Sequence, residues 1–323
     1  MPGATRVSRV TLGGMTVRLI LFVVLAMVSV AHADEPRDPV RLRVGTMAID
    51  GSRYMKDILA LGAEIEKRTR GMVVIDWVAG GQLGDEAAMA ALIGRGKLDG
   101  GGFSETGLVA LVPEMAAWRA PGLFRDYAEV DRATAALDPS VRELFAKRDL
   151  TFAMWADLGF SHVFSTERVT SMRAVLDQAA PWLTMALDGT LTEQITSGQA
   201  RAWTMPPLYM LAIGTNHART MTTLRYRYVV GGLVFSKAAW AKLSAGERKA
   251  VLDVCREREP KIRASWRKET ERGVAALAKA GVAIATQSEA ELAAFAEAAA
   301  KRHAAATKEA GGELRAKIAA AAR

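Results

Sequence analysis

Between Arg41 and Phe103 the apolar residues switch repeatedly between two spacings, and this alternation restricts the chain to an α/β fold. Arg41-Leu-Arg-Val-Gly-Thr46 alternates polar and apolar side chains, as a half-buried strand does. Tyr54 to Arg70 then carries Met55, Ile58, Leu59, Gly62 and Ile65 at helical spacing, and Gly71 stops the helix. Met72 to Val78 is β-branched and apolar, a second strand. The Gly80-Gly81 turn leads to Asp85, placed to cap a helix through Leu92, and Leu98-Asp-Gly-Gly-Gly-Phe103 reads as a third strand. Strand, helix, strand, helix, strand predicts right-handed crossovers and a mainly parallel sheet.

The alternation resumes beyond a helix near Tyr127–Lys147. Leu150 to Ala156 and Ser161 to Ser165 read as strands, and a short helix begins at Ser171. Leu183-Thr-Met-Ala186, a helix at Asp188–Thr196 and Gln199–Thr204 form another βαβ unit. Pro206-Pro207 opens a helix where proline is tolerated. Tyr226 to Phe235 is strand-like, and Ser236 caps a long helical stretch from Lys237 to Lys279, bent at Pro260. Glu289 to Arg323 is helical by composition. This order predicts two α/β lobes with separate sheets, the second with fewer strands. The chain crosses between them near residue 156 and returns near 226. Lobe I takes 40–155 plus 226–260, and a shortened lobe II takes 156–225 plus 261–310.

Residues 1–33 read as a cleavable secretory signal outside the fold. Arg6, Arg9 and Arg18 give a basic start, Leu19 to Val30 is an apolar run too short to span a bilayer, and Ala31-His-Ala33 supplies the cleavage pattern. Removing that segment takes away three Arg and no acid, which lowers the formal charge from +8 to about +5. With no basic block and no aromatic-interleaved basic stripe, nucleic acid is not an expected partner. The single Cys255 excludes an internal disulfide, and neither it nor the scattered histidines form a zinc-ligand spacing, so no metal or cofactor is expected. An exported chain without disulfides fits a bacterial periplasm.

In open α/β sheets ligands bind beyond the carboxyl ends of strands. That rule singles out Met47–Tyr54, Ala79–Gln82, Phe103–Thr106, Trp155–Ser161 and Trp203–Pro207. Ser104 and Glu105 precede a helix, where they serve either as cap or as ligand contact. Trp155 and Trp203 end strands on the cleft side and offer a rigid apolar face with one N–H donor, in balance with a core role. Trp77 and Trp118 read as core. Ser161 and His162 are neighbours on opposite faces of a strand, which argues against a nucleophile–base dyad and against an enzyme.

Gly80-Gly-Gln-Leu-Gly84, Gly96-Lys-Leu-Asp99, Leu111-Val-Pro-Glu114 and Pro121-Gly-Leu-Phe-Arg125, in this order and spacing, resemble the first lobe of TRAP-transporter solute-binding proteins, the DctP family. Val234-Phe-Ser-Lys237, Trp240, Leu243-Ser244 and Ala280-Gly-Val282 continue the resemblance more weakly. It implies a two-lobe periplasmic binding protein fold of Venus-flytrap type, with a long helix across both lobes. It implies a monomer that captures a small organic solute, such as an organic acid, and delivers it to membrane permease subunits. In the family a Ser or Thr near position 104 faces the cleft, and an Arg on a second-lobe strand forks onto the solute carboxylate. Ser171-Met-Arg-Ala-Val-Leu-Asp177 matches the approach to that strand, but Gln178-Ala-Ala-Pro-Trp182 then jumps to Leu183, and the strand with its Arg is missing.

A second family arginine aligns with Ser161, and the family's ligand-binding Asn aligns with Met205. The strand ends and the resemblance together single out Ser104, Glu105, Trp155, Ser161, Trp182, Arg201, Trp203 and Met205 as candidate ligand contacts. Arg201, Arg173 or His162 could take over a charge role, and the tryptophans favour a solute with an apolar or aromatic part. The alternative reading is an exported partner-binding or sensory relative that kept the scaffold and lost the solute site.

Overall fold

The computed structural model describes residues 37–168, 190–213, 217–305 and 311–323. The proposed helix at Ser171, the strand at Leu183–Ala186, Arg173 and Trp182 lie outside these residues. Strand β1 (Val40–Thr46) lies between β2 (Val73–Val78) and β3 (Gly100–Ser104), parallel to both. Helix α1 (Arg53–Arg68) is capped by Ser52, whose Oγ accepts from the Met55 N–H at 3.1 Å. Helix α2 (Glu86–Gly94) starts at Asp85, as its sequence position predicts, with Oδ1 accepting from the Ala88 N–H at 2.7 Å. Gly80 (φ 63°) and Gly81 (φ 72°) supply the left-handed turn between β2 and α2. The two crossovers follow the sequence reading.

The sheet as a whole is mixed rather than mainly parallel. Strand β7 (Arg227–Ser236) runs antiparallel to β3, and β4 (Leu150–Ser165) runs antiparallel to β7. Short strands β5 (Ala202–Met205) and β6 (Thr220–Thr222) pair antiparallel to the end of β4, and β8 (Ala283–Ala285) pairs parallel to β6. The order is β2-β1-β3-β7-β4-β6-β8, with β5 against β4. Two separate sheets were expected; one hydrogen-bonded path is found, because β4 belongs to both halves. The two strands expected at Leu150–Ala156 and Ser161–Ser165 are one. Register shifts at Phe152/Met154 and Asp157/Gly159 absorb the irregular stretch, and Gly159 takes φ 89° there.

Between β3 and β4 the chain forms α3 (Glu105–Leu111), a 3₁₀ turn (Pro113–Arg119) and α4 (Tyr127–Ala146). One core cluster packs Trp118, Phe124, Phe145, Phe152 and Trp155 on one face of the strands. A second places Leu42, Val44, Ile65, Phe235 and Trp266 on the other. The shift after Phe152 turns Ala153 and Met154 both into the second cluster. A third cluster, with Phe164, Trp203, Met205, Met210 and Leu277, packs around the far half of β4 with α5 (Thr190–Thr196) and α6 (Pro207–Ile213).

The long stretch after β7 is two helices, α7 (Lys237–Ala241) and α8 (Ala245–Lys279). Ser244-Ala-Gly-Glu247 forms a capping box that starts the second helix afresh, so the single helix expected from Lys237 is corrected. Pro260 lies inside α8 without ending it. Helix α8 packs on α1, β4 and α6, so it touches both halves of the strand path. Asp157 of β4, 1% exposed, holds it there: Oδ2 accepts from Arg263 Nε at 2.9 Å and Arg267 Nε at 2.6 Å. Helices α9 (Glu289–Ala305) and α10 (Gly312–Ala322) follow β8, and α10 packs against α4.

Candidate solute cavity

At the carboxyl ends of β1 and β3 the chain leaves an apolar cavity of about 60 Å³, next to a wider cleft of about 660 Å³. Met47, Ala48, Tyr54 and Tyr209 border both spaces. The walls are aromatic: Tyr54 meets Trp266 edge-on at 4.5 Å and lies stacked toward Tyr209 at 6.5 Å, with Trp77 nearby. Trp266 is fixed by its Nε1 donating to Asp57 Oδ2 at 3.0 Å, and Ser265 Oγ donates to the same carboxylate oxygen. From β4, Met154, Ala156 and Leu158 line the cavity, alternate residues of one strand face.

The cavity is polar at one end. Glu86 is buried, and its two oxygens accept from the Ser104 N–H at 2.7 Å, the Ser104 hydroxyl at 2.5 Å and the Gly107 N–H at 2.8 Å. Burial pushes its carboxyl up to about 7, against those three donors, and the charge of Glu105 adds to the rise. A Cβ on Gly107 would overlap the Phe103 ring, so only glycine lets the chain pass this close. Next to Ser104, Glu105 is 1% exposed and pairs at 2.5 Å with Arg227 of β7, itself 3% exposed. Glu105 Oε2 and Arg227 Nη2 have no partner among the described residues. Arg119 stands beside them, donating to Thr106 Oγ1 at 3.1 Å with Nε unpartnered. Tyr209 connects the two environments. Its phenol is held well above its usual range by burial first and then by the charges of Tyr54, Glu86 and Glu105.

The chain matches the family of bacterial extracellular solute-binding proteins, family 7 (DctP), over residues 44–172 and 215–309. It belongs to that family. No curated protein matches the chain. Among solved structures, the galactonate complex of a sugar acid binding protein from Advenella mimigardefordensis superposes with a TM-score of 0.78 at 16% identity. That match covers 88% of this chain and 98% of the other. A TRAP periplasmic solute-binding protein from Polaromonas bound to D-erythronate gives 0.76 at 21% identity, covering 87% and 98%. One from Desulfovibrio salexigens with orotic acid gives 0.78 at 16%, covering 88% and 100%. The fold is thus the two-lobe periplasmic binding protein fold, and the DctP-family role is solute binding.

Within this solute-binding protein, the residues singled out from sequence divide. Ser104 lines the cavity, with Glu105 beside it. Ser104 is also the cap of α3, accepting from the Thr106 N–H, so its two alternative roles coincide. Ser161 of β4 is fully buried, and its Oγ donates to the Arg227 carbonyl at 3.2 Å. Trp155 goes to the first core cluster, its Nε1 donating to Asp138 at 2.9 Å, on the face opposite the cavity-lining residues of β4. Trp203 and Met205 are buried in the third cluster, where Trp203 stacks on Phe164 at 6.2 Å. Strand parity decides this: residues of one strand alternate between faces. Arg201 is half-exposed and pairs with Glu167. His162 is buried with Nδ1 against the Thr222 carbonyl at 3.0 Å, and burial pushes it down to about 4, so it brings no cation to the site at neutral pH.

The cavity residues that sequence reasoning missed are Glu86, Tyr209 and Trp266, and it missed the buried Arg227 as well. Arg227 carried a legible signal, a charged residue inside an otherwise apolar strand. Ser161, where the resemblance puts a family arginine, lies directly opposite Arg227 across the β4–β7 ladder. Directly opposed residues of antiparallel strands project on the same face. The neighbouring strand therefore places a guanidinium on the face that carries Ser161.

Proposed function

We propose that this chain is the extracytoplasmic solute-binding subunit of a TRAP-type transporter, capturing a small organic solute between two lobes and delivering it to the membrane permease. The observation that carries the reading is the aromatic-walled cavity with Glu86 and Ser104 at its polar end, set at the strand carboxyl ends where α/β sheets hold ligands. The lobes are 40–155 with 226–260 and 156–225 with 261–310, and hinge closure about β4 and β7 supplies affinity. The protein acts as a monomer in the periplasm, after removal of residues 1–33 as a signal peptide, and does no covalent chemistry. Family relatives bound to galactonate, D-erythronate and orotic acid support small solutes with several polar groups.

A ligand-shift thermal melt against organic acids, amino acids and aromatic solutes tests this. Binding stabilises by about 2.7 kcal/mol at a hundredfold excess over Kd. An upward shift of the midpoint with at least one solute is the expected result; no shift with any of them overturns the reading. Intact mass of the exported protein, beginning at Asp34, checks the signal peptide.

A further inference from the structure

The cavity at the ends of β1 and β3 is walled by aromatic rings and by a single acid. Among the described residues its lining carries no Lys, Arg or His, and Glu86 is the one carboxyl there. Tyr54, Trp77, Tyr209 and Trp266 line the same space. Tyr54 and Trp266 meet at 4.5 Å with their planes 85° apart, so the rings wall the cavity in two directions. Tyr209, 6.5 Å from Tyr54, borders both the cavity and the wider cleft. The face of an aromatic ring is negative and its edge positive. Tyr and Trp rings grouped with a carboxyl therefore favour a cation, and the walls supply none.

The hydrogen bonds already made decide which cation fits. A carboxylate has about four acceptor sites. The Ser104 N–H, the Ser104 hydroxyl and the Gly107 N–H take three of those on Glu86. The other hydroxyls of the lining, on Thr46 and Ser104, already accept from the Ala48 and Thr106 N–H groups. A primary ammonium brings three donors and would leave some of them unmet in a dry place, which is unfavourable. An anion beside Glu86 meets a like charge in the same low dielectric. A quaternary ammonium carries its charge without a single N–H, so it asks for ring faces and a carboxyl and for no hydrogen bond. We infer that this cavity seats a quaternary ammonium head group, held by the faces of Tyr54, Tyr209 and Trp266 and by the charge of Glu86, while the rest of the solute lies in the wider cleft. The centre of a water can move through about 60 Å³ of the cavity, so the space out to its walls takes a compact head group rather than a whole solute. The inference rests on the solute-binding reading above and narrows it.

Calorimetry on the full mature chain tests it with tetramethylammonium, choline, 3,3-dimethylbutan-1-ol, which is the uncharged isostere of choline, and succinate. At pH 8.5 both ammonium ions bind, and choline binds at least about tenfold more tightly than its isostere. The cation favours the ionised form of Glu86. Burial raises that carboxyl to about 7, so its ionised share climbs from about a tenth at pH 6 to nearly all at pH 8.5, and choline affinity climbs about tenfold with it. The other groups coupled to Glu86 are Glu105 and Arg119, neither of which lines the cavity, and Tyr209, whose phenol burial holds well above its usual range. Glu86→Gln separates their effect from that of Glu86: it removes the pH dependence and brings choline down toward its isostere. Tyr209→Leu keeps an apolar wall but removes one ring face, so choline weakens by about fivefold while the isostere stays within about twofold. If neither variant folds, the ligand and pH series on the natural chain decide alone. Equal binding of choline and its isostere overturns the inference, as does choline affinity that stays flat or falls from pH 6 to 8.5. Binding of succinate or another organic acid while neither ammonium ion binds overturns this inference and leaves the solute-binding reading standing, whereas a chain that binds no solute overturns both.

Discussion

Replacing Asp157 by Asn should loosen the long helix from the strand that both halves of the molecule share. Asp157 is 1% exposed, and the arginines that reach it, Arg263 and Arg267, are 12% and 15% exposed. Its Oδ2 receives both Nε–H groups, at 2.9 and 2.6 Å. A hydrogen bond to a charged group contributes about 1.5–3 kcal/mol, and removing one partner of a buried ion pair costs about 3–5 kcal/mol. Both arginines keep Asp131 as a second partner, but that carboxylate is 50% exposed and offsets little. The expected loss is therefore near the lower end, about 3 kcal/mol. For a chain of this size that lowers the melting midpoint by roughly 6–12 °C. Urea unfolding of the natural chain and of Asp157→Asn measures it, with Asp131→Asn as the control at about 1 kcal/mol or less. The difference should persist in about 1 M salt, which screens exposed pairs but not buried ones. A loss below about 1 kcal/mol, or one erased by salt, would refute the assignment of Asp157 as the buried pin between β4 and α8.

Three further outcomes follow from the packing. The Glu86 carboxyl is raised from 4.5 to about 7, so the folded state favours its protonated form. That stability is present below pH 4.5 and is lost as pH rises toward 7; Glu86→Gln should flatten this part of the stability curve, a relative change on the order of 3 kcal/mol between pH 4.5 and 8 read from urea midpoints. Ser244→Ala removes the capping box of α8 and should cost about 1 kcal/mol by the same assay, with no change in solute affinity. Trp203→Ala empties the third core cluster and should cost about 3–5 kcal/mol; a variant of unchanged stability would place Trp203 outside the core.

Local signals located the first crossovers because each was written in a few adjacent residues. Asp85 before Glu86, Gly71 after the first helix and the Gly80-Gly81 turn mark ends by backbone chemistry alone. The strand-end rule likewise found Met47–Tyr54 and Phe103–Ser104, which border the cavity. What was not legible depends on partners far along the chain. Strands β6 and β8 are three residues each, too short for any period to show, and exist because they pair with β4 and with each other. Asp157-Leu-Gly159 reads as a break between strands, yet the β7 ladder carries β4 through it with a register shift. Trp155 was one residue out of phase with the cavity face, and a strand shifted by one residue reverses every side chain. Helix α6, between β5 and β6, brings Tyr209 to Tyr54 near the end of β1, a meeting that no local pattern encodes.

The buried pairing of Arg227 shows how a charged side chain is accommodated inside the strand layer. In an antiparallel ladder the residues opposite one another share a face and lie close together. Arg227 therefore stands on the same face as Ser161, one strand over. Its surroundings differ, because from β7 it reaches Glu105 at the start of α3 and forms a buried pair. An arginine paired in advance no longer presents a full positive charge to an incoming carboxylate; it presents a dipole with one donor and one acceptor unfilled. The same argument explains why neither Arg201 nor His162 takes the role: one is half-exposed and already paired with Glu167, and the other is held neutral by burial.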